Sequence, residues 1–185
     1  TEYETSAGLS PRERLKLLIE ARALYPRYPR IDQFIQVAHA HVGNELARKI
    51  RSGMNDIQAL ASPTRRLYDQ ALEQAEELQN LAHHDMVEII PGSDLAQALN
   101  LLESLVRNIH GYHSEYQHVI DQIASANQKL DEYDRNKEQR TLAEARTIHT
   151  QLVTAYGTNY TEIGVLYARL TGLISDAEKW EEGRQ

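Results

Sequence analysis

The chain of 185 residues has no cysteine, one phenylalanine, one tryptophan and two methionines. Without cysteine it has no disulfide bond and no thiolate metal site, and this composition fits a reducing compartment, so a cytoplasmic location is expected. Runs of about 18 or more apolar residues are absent, so no membrane-spanning helix is predicted. The sequence also has no initiating methionine and no signal-peptide pattern. We therefore expect a soluble segment of a longer protein.

Cationic residues are scarce, with 20 Lys and Arg against 27 Asp and Glu and a net charge of −7. Such a balance argues against nucleic acid as a partner and makes a membrane surface unfavourable. The charge is uneven, because residues 1–66 hold 11 basic and 7 acidic residues and residues 67–185 hold 9 and 20. The densest cationic group is either a solvated helical face or a docking site for an acidic partner; it comprises Arg48, Lys49, Arg51, Arg65 and Arg66.

Motifs for catalysis or metal binding are also missing. The chain has no G-x-S-x-G motif and no glycine-rich phosphate loop. Glu115 and His118 form one Glu-x-x-His motif, whereas a di-iron bundle needs two of them and further inward glutamates. His110 and His113 flank the apolar stripe of their helix or face solvent, as does His118. No catalytic residue, cofactor or metal site is predicted, and the chain is not expected to be an enzyme.

Two long apolar stripes with heptad spacing dominate the second half of the chain. The first runs from Leu95 to Tyr133 and the second from Leu142 to Trp180, with a charged gap between them. Folding at the gap brings together residues whose numbers sum to about 275, which predicts an antiparallel hairpin of helices 94–134 and 141–182. The predicted pairs are Leu95 with Trp180, Leu102 with Leu173, Ile109 with Leu166 and Ile123 with Leu152.

Polar and small residues interrupt this stripe. Tyr116 is predicted to face Asn159, and Asn127 or Ala126 to face His149, in two polar layers that set the register. Gly157 and Gly164 share one heptad position inside the predicted helix 141–182. We expect these two glycines to allow the close approach of another helix.

The N-terminal part begins with a polar segment, residues 1–9, that is predicted to be flexible. Ser10-Pro11-Arg12-Glu13 has the spacing of a capping box, which predicts a helix over residues 11–25. The tandem repeat Tyr25-Pro26-Arg27-Tyr28-Pro29-Arg30 favours an extended or polyproline II segment. This segment is interpreted as a stiff linker, with a recognition peptide as the alternative.

A second pair of stripes predicts helices 31–61 and 63–90. Their apolar positions pair at sums near 124, as in Ile57 with Leu67 and Leu46 with Leu78, which favours a tight hairpin. The alternative is one long helix that kinks at Pro63.

The predicted fold is all-α: a short N-terminal helix and two unequal hairpins form an elongated antiparallel bundle with coiled-coil packing. Residues 10–185 are predicted to form a single domain. Since the second hairpin has longer arms, it is expected to project by roughly 20 Å beyond the first. Residues 122–152 would then form a two-helix tip.

The function expected from this fold is that of a scaffold, adaptor or protein–protein interaction module. The partner is predicted to be a helix or peptide of another protein, and a homo-oligomer is also possible. An extracytoplasmic four-helix sensor domain that binds a small ligand is the alternative. The candidate contact residues lie in the tip, the Tyr-Pro-Arg repeat and the cationic group; they are Asn127, Leu130, Tyr133, Arg135, Lys137, Arg140, Arg146, His149, Tyr25, Tyr28, Arg48, Arg51, Arg65 and Arg66.

About a fifth of the chain, from Ile123 to Tyr160, resembles the last helices of the V-shaped domain of the Bro1/ALIX adaptors. The matching residues are Ile123-x-x-x-Asn127-x-x-Leu130 and Leu152-Val153-Thr154-Ala155-Tyr156. This resemblance implies an endosomal-adaptor-like coiled-coil domain that binds peptides. The long segments that surround this region in the adaptors are missing, so no residue role is carried over.

Overall fold

The computed structural model describes residues 8–84 and 88–184, and within them it confirms the all-α prediction. The described residues contain no strand, and none of their helices is long and apolar enough to cross a membrane. Residues 1–7 of the predicted flexible segment lie outside the described part of the chain. The described helices are α1 (Pro11–Leu24), α2 (Ile31–Leu60), α3 (Tyr68–His84), α4 (Asp94–Asn136), α5 (Gln139–Tyr156) and α6 (Thr161–Arg184).

The sequence predicts a single domain over residues 10–185. In the structure the chain divides into two compact units. The first unit ends at Gly111 and the second begins at Tyr112. Helix α4 therefore contributes its first part to one unit and its second part to the other.

In the first unit, α1 and α3 both pack against α2. Helix α1 begins with the predicted capping box, in which the Glu13 N–H donates to Ser10 Oγ at 3.3 Å and the Ser10 N–H donates to the Glu13 carboxylate at 3.1 Å. Leu15 and Leu18 of α1 are buried, and α2 buries a long stripe that includes Ile50 at 0% exposure. The capping and the stripe follow from local sequence patterns, as predicted.

The Tyr-Pro-Arg repeat forms two consecutive turns, so the prediction of an extended segment is wrong. The Tyr28 N–H donates to the Tyr25 carbonyl at 3.0 Å, and the Ile31 N–H donates to the Tyr28 carbonyl at 3.3 Å. Each proline occupies the second position of its turn, where its fixed φ is favourable. Arg30 has the positive φ of 65° that the third position of a type II turn requires.

The connection between α2 and α3 is a turn, so the two helices do not form one kinked helix. The Leu67 N–H donates to the Leu60 carbonyl at 2.9 Å, and α3 begins at Tyr68, later than the predicted residue 63. It ends at His84, residues 85–87 lie outside the described part, and residues 88–90 are not helical.

The longer connection changes the pairing between these two helices. Leu78 Cδ1 lies 2.5 Å from the position that a Cβ atom on Gly53 would occupy, so Leu78 packs against Gly53. The predicted pairing of Leu78 with Leu46 is therefore wrong by about two helical turns.

In the second unit, the predicted helix 141–182 is broken into two helices. Helix α5 ends at Tyr156, and Gly157 follows with φ 59° and ψ −124°. Side chains with a Cβ atom are strained in this conformation, so Gly157 permits the chain to leave the helix. The Asn159 N–H then donates to the Tyr156 carbonyl at 3.2 Å, and α6 begins at Thr161.

After this break the chain reverses, and α6 runs parallel to the second part of α4. Near the start of α6, Glu162 contacts Tyr116 of α4, and further along α6 Arg169 contacts Asn127 and Asp131. The residue numbers of the contacting pairs therefore increase together along the two helices. Helix α5, which lies between α4 and α6 in the sequence, runs in the opposite direction to both. The second unit is therefore a three-helix bundle and does not have the predicted two-helix form.

Apolar side chains from all three helices form the core of the second unit. Leu166 belongs to this core and Leu173 packs against it, so the antiparallel pairs predicted for these residues with Ile109 and Leu102 are wrong. Gly164 has no atom near its Cβ position, so the predicted close approach at that glycine is also wrong. The buried core residues are Val119, Ala126, Leu130, Tyr133, Leu142, Ala145, Leu152, Ile163, Leu166 and Leu170.

Candidate functional site

The predicted tip, residues 122–152, is covered by α6. Arg169 of α6 donates to Asn127 Oδ1 at 2.8 Å and to Asp131 Oδ1 at 2.6 Å. Leu130 and Tyr133, two other candidate contact residues, are buried in the three-helix core. These four side chains of α4 are thus engaged within the chain, and the prediction of a free two-helix tip is wrong.

Residues of both predicted polar layers contact α6 in ways that the hairpin did not predict. The His149 ring stacks on Tyr167 of α6 with 5.1 Å between ring centres, and Asn127 accepts a hydrogen bond from Arg169 of α6. Asn159 is exposed in the α5–α6 connection, and the Tyr116 hydroxyl donates to Glu162 at 3.3 Å. The chain reversal at Gly157 explains these contacts, because it packs α6 against α4 and α5, whereas the predicted two-helix hairpin has no third helix at that place.

Three tyrosines join the α5–α6 connection to α4. The ring of Tyr160 stacks on Tyr116 at 6.1 Å and meets Tyr156 edge-on at 5.6 Å. The Tyr160 hydroxyl also donates to the carboxylate of Glu115. Aromatic pairs and hydrogen bonds of this kind position the start of α6.

The cationic candidates at the α4–α5 end are mostly paired. Lys137 Nζ lies 3.5 Å from Asp134 Oδ1, and the Arg135 Nε donates to the Asp131 carbonyl at 3.3 Å. Arg146 is exposed on α5. Among residues 135–146, which the structure describes throughout, the cations do not form an unpaired cluster.

Glu144 forms ion pairs with two cations at this end of the bundle, with Arg140 Nε at 2.9 Å and with Lys129 Nζ at 3.0 Å. The hydrogen bond from Lys129, followed by the one from Arg140, lowers the pKa of the Glu144 carboxyl below its usual range. The same hydrogen bond with Glu144 raises the pKa of Lys129. Both side chains remain charged at neutral pH and link α4 to α5.

The first unit exposes an apolar surface at the α1–α2 connection. Leu24 is 74% exposed, Tyr25 67% and Tyr28 46%. We call these three residues the Leu24–Tyr28 surface. Leu24 was not among the predicted residues, although it falls outside the Leu15 and Leu18 stripe and directly precedes the turns. That mismatch in phase is a signal by which the sequence could have identified it.

The predicted cationic group does not form one patch. Arg48 and Arg51 are exposed on α2 and line a groove of about 350 Å³ against the start of α4. Arg65 is exposed in the α2–α3 connection, where Arg66 is partly buried. Lys49 forms an ion pair with Glu45 at 3.5 Å.

Within residues 8–84 and 88–184, no group of three or more His, Asp or Glu side chains has an arrangement that could hold a metal ion. Comparison of the chain with protein-family models, with curated proteins and with solved structures finds no match.

Proposed function

We propose that the chain is a helical protein-interaction module that binds a partner protein through the Leu24–Tyr28 surface. The observation that carries this proposal is the exposure of Leu24, the last residue of α1, and of two tyrosines in the consecutive hydrogen-bonded turns that follow it. Tyrosine is enriched among the residues that dominate binding energy at protein interfaces. Its ring buries apolar area while its hydroxyl remains able to form a hydrogen bond.

The turns support this proposal because they hold the surface in a defined conformation. Tyr25 is the C-cap residue of α1, with its N–H donating to the Ala21 carbonyl at 2.8 Å, and the Tyr28 N–H donates to the Tyr25 carbonyl. Pro26 and Pro29 further restrict the backbone. A surface that is ordered before binding loses less conformational entropy when a partner docks.

Charged residues beside the turns indicate which charge a complementary partner surface would carry. Arg22 of α1 forms an ion pair with Asp32 of α2 at 3.6 Å and so links the two helices, whereas Arg30 Nε donates to Gln33 at 3.2 Å within the start of α2. Arg27 is exposed between the two tyrosines. An apolar partner surface with an acidic group at its edge is complementary to this arrangement.

We expect the double substitution Tyr25→Ala and Tyr28→Ala to abolish partner capture without loss of helix content. The test compares proteins that the immobilised wild-type chain, this variant and a Tyr112→Ala control retain from an extract of the source cells. Tyr112 is a suitable control because it is 56% exposed and lies on α4 in the second unit. The proposal predicts a set of proteins that the wild type and the control retain and the double variant loses. Identical retention by all three chains would contradict it.

A further inference from the structure

The groove between α2 and α4 differs from other charged surfaces of the first unit. Asn44, Arg48 and Arg51 follow each other at four and three residues, so they lie on one face of α2. Together with the buried Ala47 and with Asp94, the first residue of α4, they line a volume of about 350 Å³.

The two arginines in this groove have no hydrogen-bond or ion-pair partner among residues 8–84 and 88–184. By contrast, their neighbour Lys49 is paired with Glu45, and Arg169 in the second unit contacts two aspartates. The residues that line the groove carry two positive charges, on Arg48 and Arg51, and one negative charge, on Asp94, so the lining has a net charge of +1. A guanidinium group presents a planar set of donors that fits a carboxylate or a phosphate with two parallel hydrogen bonds.

We propose that this groove binds carboxylate groups of an acidic protein segment, with Arg48 and Arg51 as the principal donors. A protein segment is favoured over nucleic acid or an anionic membrane because the chain as a whole carries a charge of −7. Extended polyanions would meet this repulsive field over a large area, whereas a short acidic segment needs only local complementarity.

This site rests on the proposed function only in that the ligand is a protein. Arg48 lies 18 residues after Arg30, the N-cap residue of α2, so the groove is about 27 Å along α2 from the end of the helix that follows the Leu24–Tyr28 surface. The two surfaces can therefore be tested by separate variants.

The experiment measures the fluorescence anisotropy of a labelled oligoglutamate peptide during titration with the whole chain. Wild type is expected to bind, and the Arg48→Glu and Arg51→Glu double variant to bind at least about tenfold more weakly. The control double variant, Arg65→Glu and Arg146→Glu, has the same change in net charge at two exposed arginines and is expected to stay within about twofold of wild type. Neutral Arg48→Gln and Arg51→Gln substitutions should give an intermediate loss, and all variants should keep the circular dichroism of wild type.

The proposal would be overturned by no binding by wild type, by equal weakening in both glutamate double variants, or by tighter binding to phosphatidylserine vesicles or single-stranded DNA than to oligoglutamate. The Tyr25→Ala and Tyr28→Ala variant separates this site from the proposed function. It is expected to bind oligoglutamate like wild type, because its substitutions lie outside the groove. Loss of oligoglutamate binding in that variant would overturn the assignment of the groove, whereas failure of the partner-capture experiment alone would leave this result intact.

Discussion

Replacement of Leu130 with Ala is expected to lower the free energy of unfolding of the second unit by about 2–5 kcal/mol. Leu130 has 0% exposure and lies in the cluster of apolar side chains from α4, α5 and α6. The substitution removes buried methyl groups and leaves a cavity that neighbours on three helices cannot fill completely. Urea denaturation followed by circular dichroism, with the fluorescence of the sole Trp180 as a reporter on α6, measures this change.

The matched control for this prediction is Val165→Ala, also in the second unit. Val165 is 71% exposed on α6, so its loss should change the free energy of unfolding by less than about 0.5 kcal/mol. Equal effects of the two substitutions would contradict the placement of Leu130 in the core.

Replacement of Gly157 with Val is expected to destabilise the second unit by about 1–3 kcal/mol. At φ 59° and ψ −124° a β-branched side chain is strained, even though no atom lies near the Cβ position of this glycine. The penalty therefore comes from the backbone and not from a clash. Thermal or urea unfolding of the variant measures it.

Gly164→Ala is the control for Gly157 and should have the opposite sign. Gly164 lies inside α6 with no atom within 4 Å of its Cβ position, so alanine is expected to stabilise the helix by up to about 1 kcal/mol. If Gly157→Val were neutral, the helix break at that residue would be in doubt.

Local features of the fold could be predicted from the sequence because neighbouring residues determine them. The capping box of Ser10 and Glu13 and the start of α4 after Ser93 depend on side chains within one helical turn. The buried stripe of α2 follows its apolar periodicity. The Tyr-Pro-Arg repeat was ambiguous because proline suits both polyproline II and the second position of a turn.

The reversal after α5 could not be predicted from periodicity alone. Tyr156, Asn159 and Ile163 keep the heptad spacing across the break, so the pattern continues where the helix does not. The local signal was Gly157 followed two residues later by Asn159, which is typical of a helix C-terminus. Heptad matching outweighed it, so the pairs predicted for Leu166 and Leu173, which depended on a straight helix 141–182, were wrong.

The same reversal decides which candidate residues remain available for a partner. Asn127 and His149 were predicted to lie in a free tip, and α6 contacts both through Arg169 and Tyr167. By contrast, Tyr25, Tyr28, Arg48 and Arg51 are exposed in the first unit, where the Leu24–Tyr28 surface and the α2–α4 groove lie. Exposure of individual side chains depends on tertiary contacts that a helical pattern does not specify.

The spin-label distance between positions 131 and 169 tests the three-helix arrangement most directly. Because the chain has no cysteine, nitroxide labels would attach only at Asp131→Cys and Arg169→Cys. In the structure the native side chains at these positions are in contact, so double electron–electron resonance should give a distance between the two labels below about 20 Å. In the alternative hairpin, residue 169 lies opposite residue 106, which places the labels roughly 37 Å apart. A second pair, Asp131→Cys with Glu144→Cys, is close in both arrangements and serves as the control; a short distance there with a long distance between positions 131 and 169 would contradict the three-helix unit.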